Sequence, residues 1–271
     1  MIGLSFGWWV SKHNAHHAHP NEIGRDPDVG VGFVVAPCGS EQVGGRRTLG
    51  RWLARRQAEV FIPLMLLRSA GLYVSGAQDL IRRRDRGAVA EGFVLALHAA
   101  LYLTAVFWVL PPLEALAFVA VHQAVFSLYL GCSFAPNHKG MPLIHTDSET
   151  GFARRQVVTS RNVIGGPWTG IILGGLNYQI EHHLFPAMPR PNLPHARSLV
   201  RTFCIDNRLE YIEETPIGSF CQVMRHLRVA SIPVPDPLET STAGTTDRIS
   251  ARRLVEAVGS RRTMEPVVHR S

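Results

Sequence analysis

The sequence predicts an all-α fold: an integral membrane helical bundle with a transmembrane hairpin and with cytoplasmic or interfacial helices that carry histidines. Two apolar runs, residues 88–110 and 113–133, each reach the roughly 20 residues that a helix needs to cross a bilayer. Histidines recur at helical spacing on either side of these runs. No stretch alternates apolar and polar residues with the period of a half-buried strand. Together these observations favour helices in a membrane over a sheet protein.

The composition narrows the class of protein further. The chain has 271 residues, of which 46% are apolar and 18% charged, and its formal net charge is +7. This apolar content excludes a mainly disordered chain. The four cysteines lie far apart, which excludes a disulfide scaffold and a zinc ribbon. The basic charge suits a membrane surface, an acidic ligand or nucleic acid. Nucleic acid makes little sense beside membrane segments, so we expect no such partner.

Three segments before the hairpin are predicted to contact the membrane. Residues 1–10 are apolar but have about half the length that spans a bilayer, and no basic region precedes them as in a signal peptide. We interpret them as the last turns of a membrane helix. Residues 46–56 place apolar side chains on one helical face with arginines beside it, and residues 60–81 are apolar but interrupted by a proline and two charges. Both are predicted to lie in the interface or dip into it, with a solvated basic helix as the alternative for the first.

The two apolar runs are predicted to form a helical hairpin. Pro111 and Pro112 stand between them and cannot continue a helix. Basic residues flank the outer ends of the hairpin and are missing from its turn. The positive-inside rule therefore places the turn outside and the flanking segments in the cytoplasm, in a multi-pass protein of the cell membrane. The alternative is a buried helix pair in a soluble protein, which the length and uniform apolarity of both runs disfavour.

Two clusters of polar side chains share one spacing, i, i+3 and i+4. The first cluster is His13, His16 and His17, and the second is Gln179, His182 and His183. On a helix these positions lie at angles of about 0°, 300° and 40°, so each cluster projects from one stripe. Two membrane crossings separate the clusters, and an even number of crossings returns both to the same side. We therefore expect the two stripes to meet.

The residue types in these clusters indicate metal binding. Neutral imidazole binds iron, zinc, copper and nickel, and two facing stripes would hold one metal or two. His138, preceded by Asn137, supplies a further donor directly after the hairpin. The alternative for either cluster alone is a polar helix face without a ligand. The same spacing in two clusters on one membrane side favours the metal site.

The domain organisation is predicted to be simple. Residues 1–231 contain all the apolar runs and the histidine clusters, and we assign them to one membrane domain. Residues 232–271 open with three spaced prolines and continue with Ser, Thr and mixed charge. This composition is typical of a mostly disordered tail.

Three motifs resemble those of the membrane fatty acid desaturases, especially the front-end acyl desaturases and their actinobacterial-type relatives. They are the KHNAHH of residues 12–17, the FAPNHKGMP of residues 134–142 and the NYQIEHHLFP of residues 177–186. The Q-x-x-H-H pattern followed by Leu-Phe-Pro is quite specific among membrane proteins. The resemblance covers about residues 1–230.

The resemblance implies a function and a ligand set. It implies O2-dependent desaturation of a fatty acyl chain by a di-iron centre, of the front-end type, with a ferredoxin or a cytochrome b5-type electron donor. The acyl substrate would be linked to CoA or to a lipid. The two iron ions would be held, with no catalytic residue beyond the ligands, by His13, His16, His17, His138, Gln179, His182 and His183, and by Asn137 through a water.

One departure from the family pattern leaves alternatives open. The family has a first histidine box, H-x(3,4)-H, upstream of the box that resembles residues 13–17. Only 12 residues precede His13 here, and no separate first box occurs in the sequence. We therefore expect an N-terminally truncated chain. The alternatives are a non-catalytic remnant of a desaturase and a sister acyl or lipid hydroxylase on the same scaffold.

Overall fold

The structure is a computed structural model that describes residues 3–29, 52–53, 55–145 and 150–230. The predicted tail over residues 232–271 and most of the basic segment 46–56 lie outside the described residues. The elements follow one another as α1 (Phe6–Ala18), α2 (Gln57–Met65), α3 (Arg68–Arg83), α4 (Arg86–Val109), α5 (Pro112–His138), α6 (Phe152–Val158), β1 (Asn162–Val163), α7 (Pro167–Ile172), α8 (Gln179–Leu184), a 3₁₀ turn (Arg190–Asn192), α9 (Leu193–Asp206), β2 (Glu213–Glu214) and α10 (Pro216–Ala230).

The helical hairpin is confirmed as α4 and α5. Both helices are long and apolar enough to cross a membrane. The side-chain carboxylate of Asp85 accepts a hydrogen bond from the Ala88 amide at 2.8 Å and so caps the start of α4. Pro111 and Pro112 separate the two helices, and Pro112 occupies the first turn of α5, where a proline costs no helical hydrogen bond. The fold class predicted from the sequence, an all-α membrane bundle, is therefore confirmed.

The segment predicted to dip into the interface forms two helices with a sharp bend. Only together are α2 and α3 long and apolar enough to cross a membrane, and they meet at an angle of 69° across a two-residue break. This geometry is that of a broken span or a re-entrant loop. The Ser69 amide donates to the Ser127 hydroxyl at 3.0 Å, and the Ser127 hydroxyl donates to the Ser69 hydroxyl at 2.7 Å. These bonds join α3 to the apolar helix α5.

The N-terminal segment differs from its prediction. Gly3 has a positive φ of 70°, and Ser5 accepts a hydrogen bond from the Trp8 amide at 3.2 Å, so α1 begins at Phe6. The prediction that residues 1–10 are the last turns of a membrane helix is therefore wrong. The apolar residues after the cap form the first turns of the helix that carries the first histidine cluster.

A second difference concerns the end of α5. The apolar run was predicted to end at residue 133, but α5 continues through Pro136 and includes His138 in its last turn. Arg161, which is fully buried, stabilises this end. Its Nε donates to the Pro136 carbonyl at 2.6 Å and its Nη2 to the Lys139 carbonyl at 2.5 Å, while Nη1 donates to the Gln222 side chain. Burial lowers the pKa of Arg161 to about 10, so the guanidinium stays charged at neutral pH.

We expect Arg161→Met to destabilise the chain by about 2–5 kcal/mol, because the buried carbonyls of Pro136 and Lys139 would lose their donor. The measurement is the unfolding midpoint of the detergent-solubilised chain, followed by tryptophan fluorescence. Arg201→Met, at an exposed position of α9, is the control and should leave the midpoint within the error. Equal midpoints for the two variants would contradict this role of Arg161.

The remaining elements pack into two small cores. In one, α10 packs against α2 and α5, with Phe61, Met65 and Leu227 buried. In the other, α8 packs against α6 and α9, around Val157 and Ile180. The parallel pair β1–β2, with Asn162 opposite Glu213, is the one exception to the predicted absence of sheet among the described residues. Two residues per strand are too few to show an alternating pattern in a sequence.

Candidate metal centre

The first histidine cluster lies in the second half of α1. His16 and His17 are buried, and His13 is half-buried one turn before them. The backbone amide of His19 closes the helix by donating to the Ala15 and His16 carbonyls. The His19 side chain contacts Glu22, with its Nδ1 2.9 Å from the Glu22 carboxylate, and stands apart from the other three histidines. This placement agrees with helix geometry, because position 19 lies at about 240° from His13, off the stripe that His13, His16 and His17 share.

The second histidine cluster lies on the short helix α8, which Asn162 of β1 holds in place. Asn162 Oδ1 accepts from the Ile180 amide at 2.9 Å, and its Nδ2 donates to the Glu181 carboxylate at 2.8 Å. The Tyr211 hydroxyl donates to the other Glu181 oxygen at 2.7 Å. Burial raises the pKa of Glu181, and burial together with this carboxylate raises the pKa of Tyr211. These bonds fix the residue that immediately precedes His182.

The two clusters meet, as the sequence predicted, and their histidines sort into two groups. The first group is His13, His17 and His182, and the second is His16, His138 and His183. Within each group the ring nitrogens able to bind a metal lie within 4.8 Å of one another. The groups are adjacent, because the rings of His17 and His183 stack with centroids 4.3 Å apart. Each group therefore combines donors from α1 and α8, and α5 adds one donor to the second.

In the second group, each ring is oriented by an oxygen atom. His16 Nδ1 lies 3.0 Å from the Asp26 carboxylate, and His138 Nδ1 lies 3.1 Å from the Thr159 carbonyl. His183 Nδ1 lies 2.9 Å from Gln156 Oε1. Because these oxygens only accept hydrogen bonds, each Nδ1 carries a proton, and Nε2 is the ring nitrogen left to face a metal. Burial holds the pKa of His183 well below its usual range, so this ring is neutral at pH 7 and its Nε2 keeps its lone pair. A metal-binding histidine normally has this arrangement.

The His183 Nε2 atom tests whether a metal fits this group. It is buried and forms no hydrogen bond, although its lone pair is available. Buried polar atoms without a partner are uncommon, since each costs about 1–3 kcal/mol. A metal ion bound to the Nε2 atoms of His16, His138 and His183 would remove this cost. The donor set therefore fits a transition metal.

The first group also contains a buried ring nitrogen without a partner, here an Nδ1 atom instead of an Nε2 atom. The Nε2 atoms of His13 and His17 lie 3.1 Å apart, and the buried His17 Nδ1 has no hydrogen-bond partner. Burial and the neighbouring histidines lower the pKa of His17 to about 3 and that of His182 to about 4. Both imidazoles are therefore neutral at pH 7, which is the form that binds metals.

These shifts predict how the metal-free chain responds to acid. The folded pKa values of His17 and His182 lie below the ordinary value of 6.5, so the unfolded chain binds more protons below that pH. The contribution of these two histidines to the free energy of unfolding is therefore fully present above pH ~6.5. It is lost as the pH falls from there towards ~3. We expect the unfolding midpoint of the metal-free chain to drop between pH ~7 and ~5. The double variant His17→Gln, His182→Gln should weaken this dependence, and an unchanged slope would contradict the assignment.

Gln179 and Asn137 lie beside the second group. Asn137 is fully buried and its Nδ2 donates to Gln179 Oε1 at 3.1 Å, while Gln179 Nε2 lies 2.9 Å from His138 Nε2. Asn137 Oδ1 is buried and forms no hydrogen bond. It is thus an available acceptor for a water at the centre.

Sequence reasoning missed the residues that orient the rings. Asp26 follows the first histidine helix and accepts hydrogen bonds from His16, from the Asn21 amide at 2.7 Å and from the Asp28 amide at 2.8 Å. Asp26 is only ten residues from His16 along the chain, and this closeness was the one sequence feature that could have indicated the contact. Gln156 is separated from both clusters along the chain and carries no motif. Nothing in the sequence singled it out.

Comparison with known proteins agrees with these features. The family model described as fatty acid desaturase matches residues 1–215. The chain is 31% identical to the acyl-lipid (9-3)-desaturase of Physcomitrium patens, over 84% of this chain and 44% of that protein. It is 30% identical to the delta(5) fatty acid desaturase fat-4 of Caenorhabditis elegans, over 86% of this chain and 54% of that protein.

A third relative is the delta(6)-fatty-acid desaturase fat-3 of the same nematode, which is 28% identical over 84% of this chain and 54% of its own length. The chain thus spans about half the length of the curated relatives it matches. The family match covers most of the chain and includes every residue of both histidine groups. The chain belongs to the fatty acid desaturase family.

Proposed function

We propose that this chain catalyses O2-dependent desaturation of a fatty acyl chain at a di-iron centre. The observation that carries the proposal is the pair of adjacent three-histidine groups, each with its ring nitrogens within 4.8 Å of one another. Six imidazoles suit two metal ions of intermediate softness. Imidazole accepts zinc as well as iron, and desaturation requires the redox-active metal.

Each group would hold one iron. His13, His17 and His182 bind the first, and His16, His138 and His183 bind the second. Gln179 lies next to the second group with its amide nitrogen towards His138 Nε2, so a turn of the amide would bring its oxygen to the metal as a further ligand. Asn137 would contribute through a water. The bound iron pair supplies the activation of O2 that removes two hydrogens from an unactivated acyl chain.

The protein orients the histidine rings and keeps water away from them. The Asp26 carboxylate and the Thr159 carbonyl each fix one ring of the second group, so the Nε2 lone pairs are positioned before metal binds. His183 is almost completely buried, and Ile180 on the same helix is fully buried in the core beneath it. Ligands held on packed helices lose little conformational entropy when a metal binds.

The relatives favour an acyl chain modified near its carboxyl end. The names of the three relatives specify delta(5), delta(6) and (9-3) positions. We therefore assign the front-end type, with a substrate linked to CoA or to a lipid. Reduction of O2 to water takes two electrons besides the two that the acyl chain gives up, and we propose that a ferredoxin or a cytochrome b5-type protein delivers them.

The centre is proposed to face the cytoplasm in a multi-pass protein of the cell membrane. α4 begins at Arg86 and α5 ends at His138, so these two ends lie on one side of the bilayer. Arginines cluster just before α4, and the turn at Pro111 carries no basic residue. The positive-inside rule assigns the basic side to the cytoplasm.

Product analysis tests the proposed function. The full chain, loaded with ferrous iron in detergent, is supplied with O2, a reduced ferredoxin or cytochrome b5 and either acyl-CoA or acyl phospholipid. Mass spectrometry should detect a product that has lost two hydrogen atoms. A product that has gained one oxygen atom would instead support the hydroxylase alternative. Absence of product from the iron-loaded chain with every donor and substrate would support the non-catalytic alternative.

A further inference from the structure

Gln156 connects the two helices that carry the histidine clusters. It lies on α6 and is fully buried. Its Nε2 donates to the His17 carbonyl on α1 at 2.9 Å, and its Oε1 accepts from His183 Nδ1 on α8 at 2.9 Å. One side chain therefore fixes the backbone of one cluster relative to a ring of the other.

The Gln156 amide can adopt only one orientation at this position. The His17 carbonyl is an acceptor, so it must face the amide nitrogen, and this leaves the amide oxygen facing His183. The proton of His183 is thereby held on Nδ1, and the lone pair is held on the buried Nε2 that has no other partner. With the opposite tautomer, His183 would present an N–H instead of a lone pair to the metal.

The three rings of the second group differ in the charge of their acceptors. His16 faces the Asp26 carboxylate, His138 faces the Thr159 backbone carbonyl, and His183 faces the neutral amide of Gln156. A carboxylate partner makes an imidazole a stronger electron donor than a neutral partner does. The neutral amide therefore keeps His183 the weaker donor beside His16, with no added negative charge in the buried site.

We propose that Gln156 is a positioning residue that holds His183 in the metal-binding tautomer, fixes α1 against α8 and sets the electron-donating strength of this ligand. The inference rests on the proposed metal centre. It concerns a residue outside the three motifs on which the family resemblance depends.

Three variants of the full chain test this role. Gln156→Leu replaces the amide by a branched apolar side chain that is one methylene shorter and removes both hydrogen bonds. Gln156→Glu keeps an acceptor for His183 Nδ1 but replaces the donor to the His17 carbonyl with a negative oxygen. Gln123→Leu is the matched control. Gln123 lies on the apolar helix α5, away from both histidine groups, and accepts a hydrogen bond from the Tyr73 hydroxyl on α3.

The readouts are the affinity for ferrous iron, the d–d absorption spectrum with Co²⁺ as a probe, and the reduction potential of the iron-loaded chain. We expect Gln156→Leu to weaken binding of one metal by about 10- to 100-fold and to alter the Co²⁺ spectrum. Gln156→Glu should retain the metal and lower the reduction potential, because a more electron-rich His183 stabilises the oxidised ion. Gln123→Leu should match the wild type in all three readouts.

Wild-type affinity and an unchanged Co²⁺ spectrum in Gln156→Leu would overturn the inference, as would an unchanged potential in Gln156→Glu. If Gln156→Leu fails to fold, Gln156→Glu still decides the question through its potential. Failure of the wild-type chain to bind iron would refute the metal centre itself, which distinguishes that result from failure of the role of Gln156.

Discussion

Replacing His183 by alanine is expected to remove one of two irons and to lower desaturation by more than about 100-fold. His183 has the clearest signs of a ligand, because its Nδ1 is held by Gln156 while its buried Nε2 has no protein partner. Loss of a direct ligand should exceed the 10- to 100-fold effect that is typical of losing an outer hydrogen-bond partner. Iron per chain is measured by atomic emission after desalting, alongside product yield.

The reciprocal variant separates the two groups. His17→Ala should also lose one iron, from the first group, and the double variant His17→Ala, His183→Ala should lose both. His195→Ala, at an exposed position of α9, is the control and should keep the wild-type content. Full iron content in His183→Ala would remove this residue from the site.

The second large effect is expected at Asp26. This carboxylate is buried and accepts from the His16 ring and from the Asn21 and Asp28 amides. Asp26→Ala removes the acceptor that orients His16 and leaves two backbone donors without their partner, each at a cost of about 1–3 kcal/mol. We expect iron affinity to fall by about 10- to 100-fold and the unfolding midpoint to drop.

Asp26→Asn isolates the role of charge at this position. The asparagine keeps one acceptor oxygen, so it should retain more of the stability than alanine does while still binding iron less tightly than the wild type. Asp206→Asn, at an exposed position at the end of α9, controls for the loss of a negative charge. Wild-type iron affinity in Asp26→Ala would contradict the role of Asp26 in orienting His16.

The features that depend only on neighbouring residues in the chain could be predicted from the sequence. The apolar hairpin followed from run length and from Pro111 and Pro112, because no tertiary contact is needed to make a long apolar run helical in a membrane. The division of the first cluster also follows from helix geometry. His13 and His17 are about 40° apart on the helix, whereas His16 lies about 60° to the other side, so it joins a different group.

Other features depend on contacts between distant segments. α5 continues past residue 133 because Arg161, 25 residues after Pro136, donates to the carbonyls at its end. Gln156 and Asn162 became part of the site only when α6 and β1 packed against α8. No local sequence pattern identifies such partners, because a glutamine or asparagine looks the same in the sequence whether or not it contacts a metal ligand in the fold.

The most direct test of the two-group centre is anomalous diffraction from crystals of the iron-loaded chain, measured on both sides of the iron absorption edge. We predict two iron peaks, one among His13, His17 and His182 and one among His16, His138 and His183. Iron peaks confined to other positions, or no peak in either group despite bound iron, would contradict the account.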